Sequence, residues 1–189
     1  YVEKFVETAP GNSVVAIPIH GSNAITHDLI TQSKGSFVQT VQGIKNLLKA
    51  GIYIELRIVI SKLNAKDLYN IAKLISSEMT GIGYVSIMAM EMTGSAWVNR
   101  DTVWISYTEA SEAMEPALLE LLEHGIDVKL YNFPLCTVKK QFWTLCEKSI
   151  SPDKVRYVGI CDNCRMKKSC GGVFAGTISI EKGELKAIL

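Results

Sequence analysis

The chain has 189 residues, of which 48% are hydrophobic and 21% are charged, and its formal net charge is +1. This length and apolar content suit one globular domain, or one domain with a small appendage, and exclude a disordered chain. The near-neutral balance gives no electrostatic reason to expect a nucleic acid or a membrane surface as partner, and no apolar run is long enough to span a bilayer.

The first two thirds of the chain alternate between apolar strand patterns and amphipathic helix patterns. Predicted strands cover residues 14–17, 52–60, 84–90 and 126–131, and predicted helices lie over 36–51, 64–81 and 108–125. Ser36 is the expected N-cap of the first of these helices. Ser106 and Glu109 have the spacing of a capping box before the last one, which Pro116 should kink or break. Because each strand is nearly all apolar, the pattern predicts a parallel sheet covered on both faces.

The last third of the chain has a different character, and a boundary is expected near residue 133. Pro134 and Cys136 lead into a short helical stretch over 138–145, and from Ser149 onward the sequence is loop-like. A terminal hairpin is predicted over 177–188. We therefore expect an α/β part at 1–133 and a cysteine-rich part at 134–189.

All five cysteines lie in this last part of the chain. An odd number in one cluster favours metal binding in a reducing compartment over paired disulfides, and it predicts a cytoplasmic protein. Cys161 and Cys164 are separated by two residues, and Cys170 follows after five more. Such a string can surround one metal centre, and the following Gly171 and Gly172 would allow the backbone to approach it closely.

A four-cysteine centre needs one further thiolate from elsewhere in the chain. We assign Cys136, because it follows a predicted strand and a proline that would hold it rigidly. Cys146 is the alternative ligand, and we expect it to be a buried free thiol. The spacing alone leaves zinc open beside an iron–sulfur cluster, since zinc also binds four cysteines.

Further candidate residues lie within the predicted strands or follow their carboxyl ends, where parallel sheets place their sites. Ser22 and Met90 follow two strands, whereas Arg57 is a charged residue inside an apolar one and should face a partner or a cavity. Pairing of Arg57 with Glu55 is the structural alternative. No phosphate-binding glycine loop, zinc-protease helix or nucleophile elbow is present, so nothing supports a kinase or a hydrolase.

These stretches together resemble radical S-adenosylmethionine (SAM) enzymes. The similar residues are 17–28, 35–37, 55–60, 90–96, 131–136 and 161–172. The closest resemblance is to the maturases of the His-Xaa-Ser peptide system, which modify a peptide and have a C-terminal auxiliary cluster of the twitch or SPASM type. The cysteine string is its most specific part.

The resemblance implies a partial (β/α) barrel in residues 1–133 and an auxiliary 4Fe–4S cluster in residues 134–189, with SAM as cosubstrate. It implies that Ser22 contacts the SAM ribose and Arg57 the SAM carboxylate, with the backbone near Met90 beside the adenine. Cys136 matches a ligand position of the family, together with Cys161, Cys164 and Cys170. Cys146 has no counterpart in the pattern.

One departure from the family is serious, because the CxxxCxxC motif that holds the SAM-cleaving cluster is missing. No cysteine precedes Cys136, and the sequence begins at Tyr1 rather than at Met. The chain is therefore expected to be a fragment that is inactive alone and self-associates through an exposed sheet edge. The full enzyme would cleave SAM and abstract hydrogen from a peptide. The alternatives are a structural metal-binding module and a radical SAM enzyme of small-metabolite synthesis, as for molybdenum cofactor.

Overall fold

The computed structural model describes residues 2–8, 13–181 and 183–189. The chain divides into two compact units. The first contains Tyr1–Ile58, Lys66–Ser86 and Met114–Val128, and the second contains Val59–Ala65, Ile87–Ala113 and Lys129–Leu189. No helix within the described ranges is long and apolar enough to cross a bilayer.

Helices and strands alternate through most of the chain, as the sequence pattern predicts. The helices are α1 (Val2–Thr8), α2 (Ala24–Thr31), α3 (Ser36–Lys49), α4 (Leu68–Glu78), α5 (Gly94–Val98), α6 (Arg100–Val103) and α7 (Tyr107–Glu123). The strands are β1 (Val14–Pro18), β2 (Tyr53–Ile60), β3 (Tyr84–Ala89), β4 (Val128–Tyr131), β5 (Cys146–Glu147), β6 (Val155–Arg156) and β7 (Val173–Phe174).

A parallel sheet of five strands in the order β1-β2-β3-β4-β5 is the centre of the fold, and it confirms the predicted α/β class. Its pairing of β1 with β2 runs from Val14 opposite Tyr53 to Pro18 opposite Arg57. At the other end of the sheet, Leu130 of β4 pairs with Cys146 of β5. Strands β6 and β7 form a separate antiparallel pair.

The core of the first unit contains apolar residues at helical spacing in α4 and at alternate positions in β2. In α4 the buried residues recur at helical spacing, and alternate residues of β2 are buried as well (Leu68, Ile71, Ala72 and Ile75; Ile54, Leu56 and Ile58). Spacing of three and four residues places an apolar stripe on one side of a helix, which explains why α4 is amphipathic.

Strand β1 differs from the buried strand that its apolar sequence predicts. It lies at the edge of the sheet, and its residues alternate between exposed and half-buried, with Val14 50% exposed. An edge strand has a neighbour on one side only, so apolar composition alone did not ensure its burial.

Helix ends are fixed by side chains, and one predicted cap is replaced by another. Helix α3 begins at Ser36, but the residue before it, Gly35, occupies the cap position without a side chain. The carboxylate of Asp28 accepts hydrogen bonds from Gly35 N and Phe37 N at 2.6 and 2.8 Å, as well as from Ser36 Oγ at 2.9 Å. Asp28 therefore provides the capping oxygen that Ser36 was expected to provide.

The capping box before α7 is confirmed, and of the kink or break predicted at Pro116 the break does not occur. Ser106 N donates to the Glu109 carboxylate at 3.1 Å, and Glu109 N donates to Ser106 Oγ at 3.2 Å. The helix continues through Pro116, which lies on its exposed side. A proline deletes one backbone hydrogen bond, and the long helix tolerates that loss.

The terminal hairpin predicted over 177–188 is absent from the described residues of that segment, which exclude position 182. Ile180 N and Glu181 N both donate to Thr177 O, and this closes a tight turn. The carboxylate of Glu181 then accepts from Glu184 N at 2.6 Å. Local turn and side-chain bonds therefore satisfy backbone groups that a hairpin ladder would have paired.

Candidate metal centre

Cys136 is presented by a short 3-10 turn, Leu135–Thr137, that follows β4. The indole N–H of Trp143 donates to Leu135 O at 3.0 Å and to Val138 O at 2.9 Å. Trp143 therefore bonds to the backbone at both ends of the turn, and these two bonds help to hold Cys136 in place. This function of Trp143 could not be predicted from the sequence, because backbone acceptors leave no signal in a sequence.

The three local cysteines lie on a chain of consecutive turns. Cys161 belongs to the 3-10 segment Gly159–Asn163, and Cys164 N donates back to Cys161 O at 3.2 Å. Cys170 N donates to Met166 O at 2.9 Å. Each turn reverses the direction of the backbone, so the loop is compact rather than extended.

One cavity is lined by Cys136, Cys161, Cys164 and Cys170. The structure therefore brings the remote cysteine to the same place as the local string. All four thiols are half-buried and none forms a disulfide. The other lining residues include the apolar side chains Pro134, Leu135, Met166, Val173, Leu185 and Ile188. A polarisable sulfur site with an apolar wall is typical of protein-bound metal clusters.

The pKa values of two of these thiols, Cys136 and Cys161, depend first on burial and then on neighbouring groups. Burial raises the pKa of Cys136, and the charges of Cys170 and Cys161 raise it further. Burial likewise raises the pKa of Cys161, with a contribution from Cys170 and Cys164. Thiolates that repel one another in this way are stabilised when a cation takes the place of their protons.

A zinc ion and a cubane cluster place different demands on four cysteines. In the described part of the chain, no three side chains of Cys, His, Asp or Glu are arranged to hold a single metal ion. A zinc ion draws its four sulfurs to about 2.3 Å from one point. A cubane cluster spreads the cysteines over different iron atoms, so its ligands stand further apart. Zinc and the iron–sulfur cluster therefore both stay predictions for this site.

Backbone N–H groups point at two of the sulfurs. Cys170 Sγ accepts from Leu135 N and from Gly172 N, both at 3.4 Å. Cys164 Sγ accepts from Ile188 N at 3.3 Å. Donors of this kind stabilise negative charge on a ligand sulfur, whether the sulfur is a thiolate or part of a metal cluster.

Gly172 is required where it stands, whereas Gly171 is not. Gly172 has φ of +69°, and a Cβ there would come within 2.6 Å of Val155 Cγ2 and 2.9 Å of Arg156 O. A Cβ on Gly171 would make only ordinary contacts, the shortest 3.6 Å to Glu147 O. The loop therefore turns sharply at Gly172 and packs directly on β6.

Cys146 is set apart from the other four thiols. It lies in β5, its Sγ donates to Phe142 O at 3.7 Å, and it is absent from the lining of the cavity. Burial raises the pKa of Cys146 to about 12, assisted by the charges of Cys170 and Glu147. A thiol with such a high pKa is almost fully protonated at neutral pH and therefore unreactive.

Two residues that the resemblance assigns to SAM already have protein partners. Ser22 N and Ser22 Oγ both donate to the carboxylate of Asp67 at 2.7 Å. Arg57 makes a two-point ion pair with Glu55, at 2.8 Å from Nε and 2.9 Å from the guanidinium nitrogen Nη2. Ser86 Oγ adds a further bond to Glu55 at 2.7 Å. The pairing of Arg57 with Glu55, considered from sequence as the structural alternative, is therefore present.

The remaining residue assigned to SAM, Met90, directly follows β3 and is half-buried. The chain next to it is fixed by Asn132, whose side-chain amide donates to Ala89 O at 3.2 Å. These contacts leave the assignment of Ser22, Arg57 and Met90 to SAM a prediction.

The described residues thus contain one cavity at which four cysteines from two sequence regions meet, a spare thiol outside it, and several N–H donors around it. Chemically, this arrangement can hold an inorganic cluster by four thiolates and tune it by hydrogen bonds to sulfur. No model of a known protein family matches the chain, and no curated protein sequence is significantly similar to it.

Proposed function

We propose that this chain is the later part of a radical SAM enzyme that modifies a peptide, and that Cys136, Cys161, Cys164 and Cys170 hold its auxiliary 4Fe–4S cluster. The observation that supports the proposal most is the cavity lined by all four of these thiols. Three of them are close in sequence, but the fourth, Cys136, lies 25 residues before Cys161. Chance convergence of such a set on one apolar-walled cavity is a poor explanation.

Each part of the site has a function toward the cluster. The four thiolates ligate it, Leu135 N and Gly172 N donate to Cys170 Sγ, and Trp143 keeps the turn of Cys136 in place. When bound, an auxiliary cluster supplies electron transfer or an iron site for the substrate. The five cysteines are free thiols, as in proteins of a reducing compartment. A cytoplasmic location is therefore part of this proposal.

The parallel sheet supports the proposed partial (β/α) barrel, because its strands follow one another in chain order as they do in a barrel wall. Within it, the ion pair with Glu55 would hold the Arg57 guanidinium ready for the SAM carboxylate. Ser22 Oγ donates to Asp67 and accepts from Asn23 Nδ2 at 3.1 Å, which leaves one lone pair to accept a bond from the ribose. No CxxxCxxC motif is present in these 189 residues, so the proposed SAM cleavage requires a cluster that this chain does not ligate.

Anaerobic reconstitution with iron and sulfide tests the proposal. We expect a brown protein with broad visible absorption and about four iron atoms and four sulfides per chain. Cys161→Ala should lose most of that iron. If the protein binds one zinc ion per chain and takes up no iron, it is instead a structural zinc module.

A further inference from the structure

Residues 185–188 bring a backbone donor to one cysteine and line the cavity that all four cysteines share. Ile188 N donates to Cys164 Sγ at 3.3 Å. Leu185, Lys186 and Ile188 also line the cavity. One short segment therefore bonds to a cysteine of the local string and borders the cavity that Cys136 also lines.

The protein itself holds this segment in position. Arg165 N donates to Ile188 O at 3.0 Å, so residue 188 is bonded through both its N–H and its carbonyl. Leu185 is only 6% exposed, and its N–H bonds to the Glu181 carboxylate at 3.3 Å. These bonds involve no metal, and they orient the Ile188 N–H in advance.

Just before the segment, Glu184 fastens the chain to α7. Its carboxylate accepts from Tyr107 N at 3.1 Å and from Thr108 N at 2.7 Å. These are the orphan N–H groups at the start of a helix, where a negative charge is stabilised. Residues 185–188, which form part of the cavity wall, are therefore held in place at both ends.

We propose that residues 185–188 are a positioning element of the metal centre, and that the Ile188 N–H helps to set the reduction potential of the cluster. This inference rests on the function proposed above. Reduction adds negative charge to the cluster and its sulfurs, and a hydrogen bond to a ligand sulfur stabilises that charge. Loss of the bond from Ile188 N to Cys164 Sγ should therefore make the potential more negative. The side chain of Ile188 contributes only apolar wall.

Two substitutions at position 188 separate the backbone donor from the side chain. Ile188→Ala removes most of the side chain and keeps the N–H, whereas Ile188→Pro removes both. In reconstituted protein, we expect Ile188→Ala to keep the wild-type potential and Ile188→Pro to shift it negative, with iron content measured for each. Equal potentials in the two variants, both loaded with iron, would overturn the inference while leaving the cluster established.

A milder replacement keeps the test decisive if Ile188→Pro does not fold. The α-hydroxy acid analogue of isoleucine at position 188 exchanges the N–H for an ester oxygen and leaves the side chain unchanged. The same negative shift is expected, and an unchanged potential contradicts the inference. Failure of the wild-type chain to take up iron would refute the proposed function, and this inference with it.

Discussion

At the scale of single residues, Trp143 contributes to the centre without touching a metal. Its indole N–H is shared between two carbonyls, Leu135 O and Val138 O, on either side of Cys136. A ligand residue on a turn needs such support, because a loosely held ligand loses the geometry that a cluster requires. The sequence could propose Cys136 from the neighbouring Pro134, but it contained no sign of the indole bond.

Replacing Trp143 tests this support. Trp143→Phe keeps an aromatic ring and deletes the N–H, so two carbonyls lose a donor at a cost of about 1–2 kcal/mol in the free energy of unfolding. We expect a lower denaturation midpoint and reduced iron per chain after reconstitution. Trp97→Phe, at a ring that is 38% exposed, is the control and should change neither quantity.

His27 is a second residue whose environment determines its chemistry. It is buried, and its Nδ1 accepts a hydrogen bond from His20 N at 3.2 Å. Burial lowers the pKa of His27 from its usual 6.5, and the nearby Asp28 opposes this only in part. Burial, followed by the charge of His27, also lowers the pKa of His20. Both histidines are therefore neutral in the folded protein at neutral pH.

This arrangement predicts a pH dependence of stability. Because the folded pKa is below the unfolded one, the unfolded chain binds more protons between the two values. The stabilisation is complete above pH 6.5 and is lost as the pH falls through the folded pKa. Urea denaturation at about pH 7.5 and 5.5 measures it, above the range in which carboxylates titrate.

The variant His27→Asn places an amide oxygen where Nδ1 accepts, and it cannot be protonated. The loss of stability between the two pH values should be smaller in this variant than in the wild type. An equal loss in both proteins would show that neither His27 nor its effect on His20 is responsible.

At the scale of elements, the loop that carries three cysteines depends on its backbone path. Gly172 adopts a left-handed conformation against Val155 and Arg156, and its N–H reaches Cys170 Sγ. The sequence suggested that Gly171 and Gly172 allow close approach to an inorganic core. In the structure, the close approach at Gly172 is to β6, and Gly171 has ordinary space.

Alanine substitution distinguishes these glycines from others in the same loop. Gly172→Ala should lower the free energy of unfolding by about 1–3 kcal/mol, because it combines an unfavourable φ with a steric conflict. Gly159→Ala is the matched control, since nothing lies within 4 Å of the added Cβ. Thermal denaturation of both variants checks this, and an equal effect of the two substitutions would contradict the account.

Elements whose apolar residues repeat regularly could be predicted from the sequence. Elements whose burial or pairing depends on tertiary contacts could not. The period of α4 located its helix because its buried residues follow the helical repeat. The residues of β1 are as apolar as those of a buried strand, and only its place at the sheet edge exposes Val14. Likewise, the side-chain bonds of Glu181 replace a hairpin that the strand propensity of residues 177–188 favoured.

At the scale of the whole molecule, the edge of the sheet is the feature with consequences for assembly. In the first compact unit, several large apolar side chains are exposed (Val14, Ile25, Leu29, Val38 and Tyr53). Unpaired edge strands and apolar patches pair with other chains unless they are covered. We therefore expect the chain to self-associate through the edge strand β1.

Sedimentation velocity over a wide range of protein concentrations tests this expectation. The sedimentation coefficient should rise with concentration, and Val14→Lys should reduce the rise by placing a charge on β1. Leu119→Lys, at an exposed position of α7, is the control and should sediment like the wild type. A wild-type chain that remains monomeric at the highest concentration would refute self-association.

The central claim is that four thiols, including the remote Cys136 and excluding Cys146, ligate one cluster. It is tested most directly by the iron content of two single variants after identical anaerobic reconstitution. Cys136→Ala should retain clearly less iron than the wild type, because one of four ligands is lost. Cys146→Ala should keep about four iron atoms per chain. The reverse result, with iron lost from Cys146→Ala and kept by Cys136→Ala, would contradict the account.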